Sequence, residues 1–167
     1  MNEVILVDKD DNEIGRMEKL EAHRKGLLHR AFSILIVNSN GDLLLQKRAQ
    51  HKYHSGGLWT NACCSHPSPG EAILVAAKNR LQLEMGMMVD NLVVSGKFIY
   101  HAPFDNGLIE HELDYIITGI SDEDPILNPE EAEKYRWISK ADLIRDIQLN
   151  AEQYTFWFKE IIQKNMF

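Results

Sequence analysis

Residues Phe32 to Val37 form an almost unbroken apolar run, the pattern of a strand covered on both faces. The positions around it predict the neighbouring elements. Val4 to Asp8 reads as a short strand, and Asp10-Asp11-Asn12 as a turn returning toward Gly15 and Met17. Asn38-Ser39-Asn40-Gly41-Asp42 predicts a hairpin turn into Leu43-Leu44-Leu45. Between Gly70 and Gly86 the apolar spacing changes to three and four, at Leu74, Ala77 and Leu81. This predicts a helix closed by Gly86 in the left-handed conformation. Strands follow over Leu92 to Tyr100 and Ile109 to Ile120, separated by the turn-rich Pro103 to Gly107, and a short strand over Tyr135 to Ile138. Two helices, Lys140 to Ile147 and Ala151 to Lys164, close the chain. Strands around a central helix, with helices at the end, make a mixed α/β layered domain.

Composition narrows the function. The 167 residues, 44% of them apolar, suffice for one domain with its own core, and no repeat or linker divides residues 1–167. A net charge of −7 argues against broad nucleic-acid binding, so any anion-binding basic groups must be gathered locally. No apolar run reaches the length of a membrane span, and Met1-Asn2-Glu3-Val4 lacks the regions of a signal peptide, so a cytoplasmic protein without a membrane partner is expected. The two cysteines, Cys63 and Cys64, are adjacent and poorly placed to bridge, which suits free thiols in a reducing compartment.

Four groups of residues have candidate chemistry. Trp59-Thr60-Asn61-Ala62-Cys63-Cys64-Ser65-His66-Pro67 sets a thiol two residues from an imidazole, ahead of a helix whose N-terminus would stabilise a thiolate or a phosphate. The structural alternative is a buried cysteine beside a loop histidine. In Glu110-His111-Glu112, strand alternation points both carboxylates to one face and His111 to the other. Such a pair is either solvent-exposed or shares a cation; His23, His29 and His66 are available as complementary nitrogen ligands should a divalent ion such as Mn²⁺ or Zn²⁺ be shared. Arg80 and Glu84 share a helical face, as a surface ion pair or as a diphosphate ligand beside a Mg²⁺ ligand, with Lys19, Arg48 and Lys52 as further cations. Trp157 and Tyr100 are either packing residues or, respectively, a face for a cation and a hydrogen-bond donor.

Taken together these stretches resemble the type 1 isopentenyl-diphosphate isomerases, a branch of the Nudix superfamily. The matching pieces are Leu20-Glu21-Ala22-His23, Leu28 to Ser33, Lys47-Arg48-Ala49, Trp59 to Pro67, Glu110-His111-Glu112 and Tyr154 to Phe158, in family order over nearly the whole chain. The Nudix signature keeps Glu71, Glu84 and Gly86. Its opening glycine is Ser65, and the Arg-Glu pair of the hydrolases is Asn79-Arg80. Losing that metal-holding glutamate argues against hydrolysis, and the isomerase branch departs in the same way.

The resemblance implies a Nudix-type mixed sheet sandwiched by helices and the conversion of isopentenyl to dimethylallyl diphosphate in isoprenoid biosynthesis. It implies that His23, His29, His66, Glu110 and Glu112 ligate Mn²⁺, Zn²⁺ or Mg²⁺, and that Glu84 helps hold Mg²⁺ on the substrate diphosphate. Lys19, Arg48, Lys52 and Arg80 would bind that diphosphate. Cys64, two places before His66, and Glu112 would form the acid–base pair, assisted by Tyr100, with Trp157 lining the hydrocarbon pocket. A Nudix hydrolase, distinguished by phosphate or nucleotide products, and a silent metal-binding module, distinguished by metal uptake without turnover, are the rival readings.

Overall fold

The computed structural model describes residues 2–167. At its centre lies β3 (His29–Val37), which runs parallel to β8 (Ile109–Ile120) from His29 opposite Glu112 to Val37 opposite Ile120. The hairpin partner of β8 is β7 (Val93–Pro103), with Tyr100 opposite Glu112. A short strand, β6 (Cys63–Ser65), adds to β3 with Cys64 opposite Ser33. The strand β4 (Leu43–Arg48) leaves β3 after the pair Val37–Leu43 and continues the sheet with β9 (Ala132–Ile138) and β5 (Trp59–Thr60). The hairpin β1 (Glu3–Val7) and β2 (Glu13–Glu18) joins β3 where Leu6 faces His29.

Period-two alternation divides this mixed sheet into two buried faces. Phe32, Ile34, Ile36, Leu44 and Ile117 pack on one side around α2 (Ile73–Met85), through Ala77, Leu81 and Met85. Leu35, Leu43, Leu45 and Ile116 pack on the other, against α3 (Lys140–Leu149) and α4 (Phe156–Gln163), through Leu143, Trp157, Phe158 and Ile161. Burying each large apolar side chain contributes about 1.5–3 kcal/mol, so both helical layers are held by the strands they cover. The expected sandwich of helices around a mixed sheet is therefore present.

Several boundaries differ from the sequence reading. Helix α2 begins at Ile73 rather than Gly70, and Leu74 is 39% exposed, so its buried face runs through Ala76, Ala77, Leu81, Glu84 and Met85 instead. The expected terminal helix from Ala151 is split. A 3-10 turn covers Ala151–Gln153, then Tyr154 and Thr155 run extended beside β5, Thr155 donating its amide to the Trp59 carbonyl at 3.0 Å. Helix α1 (Lys19–Lys25) and strands β5 and β6 lack a long enough pattern to be predicted. Glu18 caps α1 by accepting the Glu21 amide, and Gly26 ends it at φ 65°.

Candidate active site

Strand parity assembles the site. His29, Tyr100, Glu110 and Glu112 stand on one face of three adjacent strands, because His29 and Tyr100 are both registered against Glu112 and Ala102 against Glu110. Helix α1 crosses beside them, and its four-residue spacing turns Lys19 and His23 to the same side. The Nε2 atoms of His29 and His66 lie 3.0 and 2.7 Å from Glu112 Oε2, and His23 Nε2 lies 3.8 and 3.9 Å from Oε2 of Glu110 and Glu112. The Nδ1 atoms of His23 and His29 meet the carbonyls of Lys19 and Leu27 at 2.7 and 2.9 Å. Those carbonyls fix the proton on Nδ1 and leave Nε2 as the free donor atom, the orientation a metal ligand needs.

Electrostatics fits the same use. Burial brings the His66 ring down to about 4, so it is neutral at physiological pH. The Glu112 carboxyl lies well below the usual range: burial opposes ionisation, but His66 and His29 outweigh it. His23, His29, His66 and Glu112 bring their donor atoms together in one group suited to a divalent ion, Glu110 joins His23 in an adjoining group, and His23 Nε2 has no hydrogen-bond partner among the described residues.

Cys64 lines the same cavity as Glu112, Tyr100 and Trp157. Alternation in β6 separates the two thiols: Cys63 packs with the α2 core and Cys64 faces the α4 side. The expectation of a helix-stabilised thiolate is corrected here. Cys64 sits in a strand, helix α2 starts only at Ile73, and burial, reinforced by Glu84, Glu110 and Asp114, pushes the thiol well above its ordinary pKa despite Arg48. It is a neutral S–H. The Tyr100 hydroxyl donates to Glu112 Oε1 at 2.7 Å and also contacts Glu110, and burial beside these carboxylates keeps the phenol protonated. The buried Trp157 donates its indole N–H to Asn61 Oδ1 at 3.3 Å.

The same cavity gathers Lys19, Arg48, Lys52 and Arg80. Burial, then the nearby Lys52 and Arg80, lowers the Lys19 pKa, which records how closely the cations are crowded. Arg48 Nε is buried with no partner among the described residues, a donor without an acceptor. Arg80 pairs with Glu84 at 2.5 Å and with Glu131 at 3.0 Å, and Glu131 also holds Lys52. Glu71, by contrast, accepts the Ser68 amide at 3.0 Å and lies away from this cavity.

Against known proteins, the NUDIX domain pattern matches residues 27–158. Isopentenyl-diphosphate Delta-isomerase 2 of Photorhabdus laumondii is 50% identical over 163 residues, covering 97% of this chain and 92% of that protein. The Isopentenyl-diphosphate Delta-isomerase of Serratia proteamaculans is 50% identical over 160 residues, covering 96% and 89%. This chain belongs to the Nudix isopentenyl-diphosphate Delta-isomerase family. At the level of fold alone, a Deinococcus radiodurans crystal structure superposes with a TM-score of 0.82 at 19% identity, covering 98% of each chain. A MutT NUDIX hydrolase from Burkholderia pseudomallei superposes at 0.65 and 17% identity, covering 81% of this chain and 96% of that one.

Within this isomerase-family chain, the residues to which the resemblance gives a catalytic, diphosphate-binding or metal-ligating role lie at one cavity or in the histidine cluster at its edge, while Glu71 and Cys63 lie apart. Four neighbours were not anticipated. Tyr53 packs under Lys19, whose Nζ lies 4.2 Å from the ring centroid. His54 lines the cavity, Glu131 joins two of its cations, and Asp114 continues the alternation of Glu110 and Glu112, its carboxyl raised by burial and by Glu112. The period-two spacing from Glu110 was a readable signal for Asp114. Glu131, inside Glu130-Glu131-Ala132-Glu133, gave none.

Proposed function

We propose that this chain, as one domain over residues 1–167, isomerises isopentenyl diphosphate to dimethylallyl diphosphate in the cytoplasm, as a step of isoprenoid biosynthesis. One observation carries the reading: a neutral thiol, Cys64, and an ionised carboxylate, Glu112, line one cavity together with four cationic side chains. An unactivated alkene is a very weak base, and protonating it creates a tertiary carbocation. Cys64 gives its proton to the terminal methylene carbon, and Glu112 takes one from the carbon on the other side of the cation. The double bond moves while the net proton count is unchanged. Each positioned acid or base contributes about 10²- to 10⁴-fold.

Lys19, Arg48, Lys52 and Arg80 grip the diphosphate and so orient a short hydrocarbon that offers no polar handle of its own. Arg48 Nε gains in that complex the acceptor it lacks. Tyr100 holds Glu112 by hydrogen bond. The face of Trp157 stabilises the cation, by about 2 kcal/mol once water is excluded. Water exclusion matters because water would trap the intermediate. His23, His29, His66, Glu110 and Glu112 would hold Mn²⁺, Zn²⁺ or Mg²⁺, and Glu84 would share a Mg²⁺ with the diphosphate. Such ions supply positive charge that offsets the paired carboxylates and the diphosphate.

The test is conversion of isopentenyl diphosphate by purified, metal-loaded protein with Mg²⁺, followed by NMR. Dimethylallyl diphosphate should accumulate without phosphate release, and Cys64→Ser should lose nearly all turnover while melting like the parent. No conversion by folded, metal-loaded protein, or phosphate as the product, ends the proposal.

A further inference from the structure

Beside the expected ligands stands a histidine with no assigned work. His54 is 6% exposed, in the loop between β4 and β5, and its Nε2 lies 2.6 Å from Glu110 Oε2. At that separation a hydrogen bond is expected, yet the atoms are misaligned for one, and His54 Nε2 has no hydrogen-bond partner among the described residues. His23 Nε2, 3.8 Å from the same Glu110 oxygen, is in the same condition. Two buried ring nitrogens that converge on a carboxylate oxygen without bonding to it describe donors aimed at a common point. The other side of the ring agrees: His54 Nδ1 lies 3.1 Å from Ser55 Oγ, a hydroxyl that can accept its proton and leave Nε2 with the lone pair.

We propose that His54 is a further ligand of the divalent ion held by the His/Glu cluster, a fourth imidazole on the Glu110 side. Two donors each about 2.1 Å from one ion lie no more than about 4.2 Å apart, twice that distance. His54 Nε2 and His23 Nε2, 2.6 and 3.8 Å from the same Glu110 oxygen, both fall inside this limit. His23 belongs both to the group with His29, His66 and Glu112 and to the group with His54 and Glu110, and is the ligand the two groups share. The ring is also held in place: it stacks on Phe104 at 4.7 Å and 9°, meets Tyr53 edge-on at 4.3 Å and abuts Trp157 at 5.7 Å. A fourth imidazole adds nitrogen character, which favours Zn²⁺ over Mg²⁺.

This inference rests on reading the cluster as a metal centre, and the experiment separates the two. The full chain is loaded with Zn²⁺ alone, without substrate, and its imidazole nitrogens are assigned by long-range proton–nitrogen NMR. Four metal-bound Nε2 signals are expected, one assigned to His54 and missing from His54→Ala. Three metal-bound signals, with His54 carrying a proton on Nε2 as a donor to Glu110, overturn the proposal and leave the metal centre standing. No metal-bound signal and no Zn²⁺ uptake by calorimetry overturn the centre itself, and the His54 assignment with it. The parent spectrum decides the count even if His54→Ala fails to fold.

Discussion

Arg80 is where the sequence departs most from a Nudix hydrolase, and removing its charge tests the diphosphate grip directly. Arg80→Met keeps the apolar stem of the side chain and deletes the guanidinium. In the structure that group lies 2.5 Å from Glu84 and 3.0 Å from Glu131 and is 28% exposed. Two effects follow. Breaking a fully buried ion pair costs about 3–5 kcal/mol, and this exposure lowers the stability loss to about 2 kcal/mol. Glu84 keeps a bond from Gln46 at 3.2 Å, and Glu131 keeps Lys52. For substrate, one charge-assisted contact of about 1.5–3 kcal/mol disappears. Taking the lower half of that range, about 1.5–2 kcal/mol, and 1.4 kcal/mol per tenfold, KM rises about 10- to 30-fold. Because the same grip orients the alkene, kcat falls as well, by a smaller factor. Initial rates over a range of isopentenyl diphosphate concentrations, with urea unfolding in parallel, measure both effects. Arg80→Lys should recover part of the affinity, since a point charge replaces the fork. A cooperatively folded, metal-loaded Arg80→Met whose KM stays within about threefold of the parent refutes the assignment.

Three further outcomes are expected. Tyr100→Phe deletes the hydroxyl shared by Glu112 and Glu110 and should lower kcat by about 10²-fold with little change in KM, as steady-state rates will show. Gly86→Ala should cost about 3 kcal/mol in urea unfolding: the residue sits at φ 61°, and a Cβ would meet the Ile126 carbonyl oxygen at 2.6 Å. Asp11→Asn should lower stability by about 1 kcal/mol at pH 7, a value reduced for solvent screening. Partial burial raises the Asp11 carboxyl, but Tyr115 and Arg30 outweigh it and hold the pKa below its ordinary value. The contribution is therefore present above about pH 4 and lost as pH falls through the folded value, so unfolding at pH 3 and below should show a shrinking difference between variant and parent. A difference that is constant with pH excludes this ion pair as the cause.

The sequence made legible what alternation and local spacing control. The run from Phe32 to Val37 and the alternation of Glu110 and Glu112 needed no knowledge of the partner strands. Tertiary contacts decide the rest. The strand Cys63–Ser65 exists because β3 offers it an edge, and that pairing, more than its own residues, sends Cys64 to one face and Cys63 to the other. The break at Tyr154–Thr155 is imposed by β5: the Thr155 amide bonds the Trp59 carbonyl, and its hydroxyl meets Thr60 Oγ1 at 2.9 Å. A single-chain pattern of aromatic residues reads as one helix there. His54 and Glu131 enter the site from segments that show no periodicity, so only the folded arrangement reveals them.

The geometry also accounts for one scaffold supporting a different reaction. In the hydrolases the glutamates on the Nudix helix gather metal that activates water. Here the same helix presents Arg80, and Glu84 is engaged with it. The carboxylates facing the histidines come instead from β8, and the imidazoles from α1, β3 and the stretch after β6. The candidate metal centre thus sits against the sheet, beside aromatic rings, while the helix turns the positive charge of Arg80 to the cavity. A hydrolase needs an activated water beside phosphorus. A carbocation must be kept from water altogether, and a neutral thiol in a cavity walled by Tyr100 and Trp157 can protonate carbon without admitting it. In the proposed reading the ligands of the histidine-side ion stand on the sheet, on α1 and after β6, and the Nudix helix keeps only Glu84 for the diphosphate's Mg²⁺; the sign of the charge at position 80 is the residue-level mark of that exchange.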